Sequence, residues 1–538
     1  MQCPKCGHNN PDDAQTCQSC SFAFSDKNAS QLTTPAKTSR LAILSLVLAL
    51  PSLFFFLLTG IPAIITAIIS YFKIKHSDGK LKGRPISIAG MILSLLFMFG
   101  FVLLWSLDAP PIPNDYTIAD LRSAPADCNE SYELLRSLVY LFVDPRQEIE
   151  NLNDAIALEE SITGQKSQRK LPDSFIEKYL KDDEYEPLLS DEECALIYEV
   201  SEIAEQGKVS ALSNIINKNA DMIKQTWDKT EKVRGIIHQI NKFPEIADLY
   251  EPSFTDEPLH VVALINFSRI YHAYAYLQVE PNDIHRFTIE LIEMDSVFRK
   301  LSMNARLKIV KLCCLIITSN NIQAANTIAN TSEASQESIK LLAEHFTPFT
   351  KEQISLKNPL LLEYLSMKYC ISQAPENTFM KVIPVFKRNS TLRINRNHFE
   401  DLISAAEVTN DAKKERLKVW PSFYPFQEPA FPKKNEKLPF LYRCYNPVGS
   451  LLLKIMNPDT FTSMSEKSLK IKIKNDLFQI ILNKRLGKDV DLTAKAYSDK
   501  YIIDVENEII FSPGPDGESG TDDDIKLPIN PDVLGLTE

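Results

Sequence analysis

Four cysteines near the N-terminus have the type and spacing needed to hold a metal ion. Cys3 and Cys6 form one CxxC pair, and Cys17 and Cys20 form a second pair after ten intervening residues. Two such pairs place four thiolates around one tetrahedral zinc ion, and four protein ligands leave no open position for a substrate. The spacing therefore predicts a structural zinc site rather than a catalytic one. His8 is expected to be a bystander.

The predicted metal head, residues 1–24, is too short to fold on apolar burial alone, so metal ligation would supply the missing free energy. It resembles the short zinc ribbons at the N-termini of many bacterial membrane proteins, and four residues besides the cysteines correspond: Gly7, Asn10, Pro11 and Ala14. Ser21 departs from the pattern, because glycine is usual after the last cysteine. The alternatives are a redox pair of dithiols or fortuitous spacing.

A polar linker at residues 25–40 leads into a hydrophobic block at residues 41–107. Residues 41–72 carry no charged side chain, and residues 86–107 form a second apolar stretch. At 1.5 Å per residue, both stretches are long enough for a hydrocarbon core of about 30 Å. The sequence therefore predicts transmembrane helices in this block, and hence the membrane as a partner.

The topology depends on how residues 41–72 cross. Gly60-Ile61-Pro62 offers a break, which leaves either one kinked crossing or a hairpin with legs at 41–58 and 61–75. The basic loop, residues 73–85, is predicted to be cytoplasmic. A hairpin would keep the zinc head on that side, where thiols stay reduced. We then expect a bacterial inner-membrane protein whose C-terminal body is extracytoplasmic.

Three stretches of this block resemble a small, uncharacterised bacterial membrane module of two to three helices that often follows a zinc ribbon. The stretches are residues 39–48, 60–65 and 83–93. The resemblance implies anchoring and no chemistry.

Charge is distributed unevenly along the chain. Residues 1–107 carry nine Lys or Arg and four Asp, whereas the remainder carries 50 basic and 66 acidic residues. An acidic body without a long basic run argues against nucleic acid as a partner, since phosphate binding needs clustered Lys and Arg. Six further cysteines lack CxxC pairing and are expected to be free, mostly buried thiols: Cys128, Cys194, Cys313, Cys314, Cys370 and Cys444.

Beyond a Pro-rich linker at residues 108–115, the sequence predicts a mainly α body. Apolar residues recur at spacings of three and four through residues 116–420, and glycine is scarce there. A repeat-like helical arrangement is one option. Residues 421–538 are predicted to hold a further helix and a short β segment around an acidic Gly/Asp loop, residues 512–525.

The acidic loop offers oxygen ligands of the kind that calcium prefers, namely Asp516, Glu518, Asp522 and Asp524. Its spacing is not that of an EF-hand. It resembles the calcium loop of type II secretion major pseudopilins, to which these residues correspond: Gly514, Asp516, Gly517, Asp522 and Asp524. That resemblance implies calcium binding, although the pilin leader and N-terminal helix are absent. The alternative is a solvated acidic turn without a metal.

No sequence signature of an enzyme is present: HExxH, GxSxG, the P-loop and GxGxxG are all missing. The sequence therefore predicts a membrane-anchored, non-enzymatic protein that binds or organises other proteins of a bacterial envelope. One alternative is a hydrolase-like enzyme whose site lacks a recognisable motif. Another is a signalling protein in which the zinc head reports to a cytoplasmic partner. The sequence does not indicate a small-molecule substrate.

Overall fold

A computed structural model of the chain divides it into two compact units, Met1–Leu107 and Asp108–Glu538. The structure describes these residues: 1–24, 37–77, 79–121, 128–142, 144, 187–205, 209–248, 262–277, 281–373, 386–406, 440–455, 460–493, 500–514 and 517–537. Most of the predicted polar linker, residues 407–439 and Asp516 lie outside this set.

Three helices make up most of the first unit: α1 (Arg40–Ala49), α2 (Ser52–Lys75) and α3 (Arg84–Ser106), each in contact with the other two. Ser39 Oγ lies 3.3 Å from Ser70 Oγ, which accepts a hydrogen bond of 2.9 Å from Ser87 Oγ. The start of α1, the end of α2 and the start of α3 therefore lie side by side. It follows that α2 runs antiparallel to its two neighbours.

Two very short strands close the same end of the helices. Strand β1 (Lys37–Thr38) pairs in parallel with β2 (Leu81–Lys82). The Ser39 N–H continues this pairing by donating to the Lys82 carbonyl at 2.9 Å. Gly83 has a φ of +117°, a conformation that L side chains rarely adopt, and it lets the chain turn into α3.

The break predicted at Gly60–Pro62 is wrong, because α2 continues through Pro62. The chain instead interrupts its helix at Pro51, which lacks an N–H group and directly precedes the first residue of α2. Gly60 allows close helix packing, because a Cβ at this position would lie only 3.0 Å from the Met98 side chain of α3. Close approach of two helices, rather than a turn, accounts for this glycine.

The hydrophobic block is helical, as the sequence indicates, since α1, α2 and α3 occupy most of residues 41–107. Over the described ranges, however, no helix combines the length and the apolar character needed to cross a membrane. The length and apolar character of the described helices therefore do not support the transmembrane helices predicted from hydropathy.

The second unit is mainly helical, as predicted. Its helices are α4 (Cys128–Val139), α5 (Asp191–Glu205), α6 (Val209–Lys218), α7 (Ala220–Lys229), α8 (Glu231–Asn241), α9 (Ala263–Ala275), α10 (Pro281–Asn304), α11 (Lys308–Ala329), α12 (Gln336–His345), α13 (Lys351–Ile354), α14 (Lys357–Gln373), α15 (Arg388–Ala406), α16 (Phe440–Tyr445), α17 (Pro447–Ile455) and α18 (Thr460–Arg485). A single 3₁₀ turn at Ile118–Asp120 precedes them in the described residues.

Helix α11 lies at the centre of the main core and is buried along most of its length. It contacts α9 and α10, which precede it, and also α18, which follows well over a hundred residues later. A repeat array packs mainly between sequence neighbours. The contact between α11 and α18 therefore differs from the repeat-like arrangement considered from the sequence.

The segment predicted as a stiff exit linker is packed onto the body. The Asp108 carboxylate accepts hydrogen bonds from the backbone N–H groups of Asn389 and Ser390 at the start of α15, at 2.8 and 3.1 Å. The Asp115 carboxylate forms an ion pair with Lys368 of α14, with 2.7 Å between Oδ2 and Nζ. Residues 108–116 are thus part of the folded unit rather than a free spacer.

A small antiparallel sheet closes the C-terminal region, as the sequence predicts. Its order is β3 (Ile502–Asp504), β4 (Ile509–Ser512) and β5 (Ile525–Pro528). Ile510 pairs with Leu527, and both side chains are buried against the main core with α18. The acidic loop connects β4 to β5.

The cysteines outside the head behave as expected where the structure describes them. Cys128, Cys313 and Cys314 are free and buried, and Cys194 and Cys370 are free and half-buried. Burial raises the pKa of the Cys313 thiol to about 12. Burial likewise raises the pKa of Cys194, Cys314 and Cys370, so these three thiols and Cys313 are protonated and unreactive at neutral pH.

Candidate metal centre

Two turns of identical hydrogen bonding build the cysteine site. In the first turn, Gly7 N–H donates to the Cys3 carbonyl at 2.9 Å and Cys3 N–H donates to the His8 carbonyl at 2.9 Å. In the second, Ser21 N–H donates to the Cys17 carbonyl at 2.8 Å and Cys17 N–H donates to the Phe22 carbonyl at 2.7 Å. The CxxC sequence is thus folded twice into the same knuckle.

The turn residue of each knuckle has a left-handed backbone. Gly7 has a φ of +72° and Ser21 has a φ of +53°. Only glycine adopts this region without a steric penalty, which for other L residues is about 1–2 kcal/mol. The departure of Ser21 from the ribbon pattern therefore places mild strain in the second knuckle and removes no ligand.

The two knuckles bring all four thiols together, as the spacing predicts. The sulfur atoms of Cys3, Cys6, Cys17 and Cys20 lie within 4.8 Å of one another. Cys3 Sγ is 3.7 Å from Cys20 Sγ, and Cys6 Sγ is 3.5 Å from Cys17 Sγ. A tetrahedral ion with bonds of about 2.3 Å to sulfur needs its ligands about 3.8 Å apart. The four cysteines therefore fit one metal ion, and His8 is not in this group.

Asn10 links the two knuckles, and sequence reasoning did not assign it a role beyond the resemblance. Its side chain is buried, donates to the His8 carbonyl at 2.9 Å, and accepts from Gln18 N–H at 2.8 Å. It also donates to Cys17 Sγ at 3.5 Å. A donor of this kind orients a ligand and stabilises its thiolate form.

The electrostatics of the site differ between the two sulfurs of the second pair. Burial raises the pKa of Cys17, but hydrogen bonds from the Ser19 and Cys20 backbones and from Asn10 lower it to about 6. The pKa of Cys20 is raised to about 12, chiefly through its hydrogen bond with Cys6. Without an ion, four neighbouring thiolates repel one another, so protons remain on some of them.

Replacing Asn10 with alanine should lower zinc affinity about 10–100-fold, because Cys17 loses its side-chain donor and the knuckles lose their link. Competition with a chromophoric chelator on the full-length chain measures this change. Asn9→Ala is the matched control, since Asn9 is exposed and next in sequence. Equal affinity of the two variants would show that Asn10 has no such role.

Comparison with known proteins bears on the hydrophobic block. Residues 41–104 match the family described as DUF4190, a domain of unknown function. The match falls on the helices α1–α3 and covers neither the cysteine site nor the body. No curated protein and no solved structure matches the chain.

The acidic side chains of the loop, unlike the four cysteines, do not converge in the described part of the chain. Glu518 and Asp522 are exposed, and Asp516 lies outside the described residues. Among the residues with described positions, the four cysteines are the one group of three or more metal-ligating side chains that converge. The predicted calcium ligands are therefore not shown to form a site.

One carboxylate of the loop nevertheless points inward. The Asp524 side chain is 1% exposed, and its Oδ2 accepts from Gly520 N–H at 2.9 Å. Lys526 Nζ lies 3.4 Å from the same oxygen. The other oxygen, Oδ1, is buried and has no hydrogen-bond partner among the described residues.

His345 of the body takes part in a packed ionic network. His345 Nε2 lies 2.9 Å from an oxygen of Asp295, which also forms an ion pair with Arg299 at 2.5 Å. Burial raises the pKa of Asp295, but Arg299 and His345 together lower it below its usual value. Asp295 and Arg299 are buried, His345 is partly exposed, and the network joins α10 to the end of α12.

Proposed function

We propose that the first unit anchors the chain in a lipid bilayer and that the acidic body binds other proteins of a bacterial envelope. The observation that carries the anchor is the distribution of side chains on α1, α2 and α3. Small residues fill the interior between the helices, and large apolar residues cover the outside.

The interior of the three helices is lined by small and hydroxylated side chains. The small buried positions are Ala42, Ser45, Ala49, Ser52, Ala63, Ala67, Ser70, Ser87 and Ser94, and Ile74 is the one large side chain among the buried residues that the structure describes in these helices. A Cβ on Gly90 would lie 2.8 Å from Ser45 Oγ and 3.1 Å from the Leu46 backbone nitrogen. Such close backbone approach through small residues is typical of helices that associate in lipid, where large apolar side chains gain nothing by facing inward.

The outside of the same helices is strongly apolar, and we call this surface the apolar belt. The exposed large side chains are Ile43, Leu44, Val47, Leu50, Ile61, Ile65, Ile68, Ile69, Phe72, Ile88, Ile92, Leu95, Leu96 and Phe99. Soluble proteins rarely expose apolar patches larger than a few hundred Å², whereas this belt extends over all three helices. Lipid acyl chains are the partner that suits this belt, because they can surround it on every side and require no polar groups from it.

The cysteine site would hold zinc as a structural ion. Four thiolates are soft ligands that favour zinc, and tetrahedral spacing of the sulfurs suits its geometry. All four ligands come from the protein, so the ion would fold the head and would have no open position for a reaction.

The body would act as a binding module rather than an enzyme. Several of its buried titratable groups are engaged in structural contacts, such as the network of Asp295 and Arg299 with His345. Capture from detergent-solubilised membranes tests this role with the full-length chain. We expect a partner that co-purifies equally with wild type and Cys17→Ser; recovery that requires the intact head would instead favour the signalling alternative.

A polar cleft in the body keeps the enzyme alternative testable. Its volume is about 290 Å³, and its lining includes Asp120, Lys351, Glu352 and Lys357. The Asp120 carboxylate is occupied by the Thr117 N–H at 2.7 Å within a capping turn. A small molecule that raises the thermal stability of wild type but not of Lys351→Ala would favour that alternative.

The orientation of the anchor stays a prediction. The basic loop is expected in the cytoplasm, together with the zinc head, and the body on the opposite side. Reporter fusions at Gln31 and Asp115 of the full-length chain would give opposite-side signals under this arrangement. Same-side signals would contradict it.

Calcium binding by the acidic loop is a second proposal, and Asp524 Oδ1 favours it, because this buried oxygen has no partner in the described part of the chain. We expect millimolar calcium to raise the unfolding temperature of the full-length chain by about 2–4 °C. Asp524→Asn should abolish the shift, and Asp489→Asn should not, because Asp489 is an exposed acid outside the loop. An unchanged unfolding temperature of wild type would remove the proposal.

A further inference from the structure

The end of the first unit where β1 and β2 pair carries a dense positive charge, which we call the basic rim. It comprises Lys37, Arg40, Lys73, Lys75, Lys80, Lys82 and Arg84. All seven side chains are exposed, and none forms an ion pair with a residue that the structure describes. Between residues 37 and 84 the sequence contains a single acidic residue, Asp78.

The fold gathers these charges from three separate segments. Arg40 begins α1, Lys75 ends α2 and Arg84 begins α3. The buried hydroxyl groups of Ser39, Ser70 and Ser87 hold these ends together, as described above. Because the backbone of the rim is held by internal contacts, the charged residues lie at one end of the helices before any ligand is present.

Mutual repulsion makes such a cluster unfavourable unless a partner neutralises it. The apolar belt of the same helices adjoins the rim, so a partner must satisfy positive charge immediately beside an apolar surface. Phosphate groups of anionic lipids lie at that boundary in a bilayer, and each Lys or Arg near them gains about 1 kcal/mol. A soluble anion would satisfy the rim but would leave the belt uncovered.

We propose that the basic rim selects anionic phospholipid headgroups around the first unit. This inference rests on the proposed lipid anchor and adds a specificity to it. Lysine would contribute point charges, and Arg40 and Arg84 would bind phosphate oxygens through two parallel N–H groups. The preference is screened by salt, since the rim is exposed.

The experiment reconstitutes the full-length chain from neutral detergent with limiting amounts of an equimolar mixture of phosphatidylcholine and phosphatidylglycerol. The lipids that co-purify are then quantified by mass spectrometry. We expect the anionic lipid to be enriched at least fivefold, which is the factor that about one charge contributes. The enrichment should persist in 20 mM inorganic phosphate and fall in 0.5 M sodium chloride.

Two quadruple variants with the same change of charge separate the rim from net charge. The rim variant carries these changes: Lys73→Gln, Lys75→Gln, Lys80→Gln and Lys82→Gln. The control changes four exposed lysines of the body: Lys218→Gln, Lys224→Gln, Lys232→Gln and Lys242→Gln. Enrichment should be lost in the first variant and retained in the second.

The outcomes distinguish this inference from the anchor on which it rests. If wild type takes up lipid in the input ratio, or the rim variant keeps the enrichment, the headgroup preference is overturned and the anchor stands. If inorganic phosphate removes the enrichment, the rim is a site for soluble anions. If wild type takes up no lipid at all, the anchor itself is overturned.

Discussion

Replacing Cys17 with serine is expected to abolish stable zinc binding and to unfold the head. One of four ligands is lost from a site that supplies about 10–16 kcal/mol of apparent binding free energy, so affinity should fall by more than about 100-fold. The head has no compensating core, since Cys3, Asn10 and Cys17 are its only buried positions among residues 1–24. Elemental analysis of the purified full-length chain measures the zinc content.

The control for this prediction is Cys194→Ser, which removes a half-buried free thiol outside the site. That variant should retain one zinc per chain, as is expected of wild type. A wild-type chain without zinc, or a Cys17→Ser chain that keeps its zinc at unchanged affinity, would refute the assignment of the ligands.

Placing two aspartates on the outer face of α3 is the second change with a large expected effect. Ile92 and Leu96 are 49% and 60% exposed and lie one helical turn apart. In water, such surface changes shift stability by about 0.5 kcal/mol or less. In the apolar part of a bilayer each aspartate costs about 2.5–3.5 kcal/mol. Ile92→Asp with Leu96→Asp should therefore prevent membrane association.

Flotation of the full-length chain with membranes on a density gradient measures this effect. The matched control is Val262→Asp with Ile289→Asp, which changes two exposed apolar residues of the body. The control should float as wild type does. If the α3 variant floats equally well, the outer face of α3 does not contact lipid.

The cysteine site was predictable because it is local. Both knuckles are closed by hydrogen bonds between residues at most five positions apart, so the CxxC spacing contains the geometry. Strands β4 and β5 were predictable for a similar reason, since they flank one turn. In contrast, the hydrogen bonds that hold residues 108–116 on the body join positions about 250–280 apart in the chain. The sequence has no local signal for such contacts.

The helix break was mispredicted because proline has two roles. Pro62 lies in a helix packed on both neighbours, and those contacts keep α2 continuous around the missing N–H. Pro51 stands at a helix start, where the missing N–H costs nothing. The hydropathy of the sequence could not show which of the two prolines, Pro51 or Pro62, ends a helix. It also could not show which apolar side chains face outward.

The central claim is that the first unit lies in lipid, and resistance to extraction tests it most directly. Membranes containing the wild-type, full-length chain are washed with alkaline carbonate and then with 1 M salt, which remove proteins held by charge alone. We predict that the chain stays in the membrane pellet, because the apolar belt of α1, α2 and α3 holds it there. Its quantitative release into the supernatant would contradict the anchor.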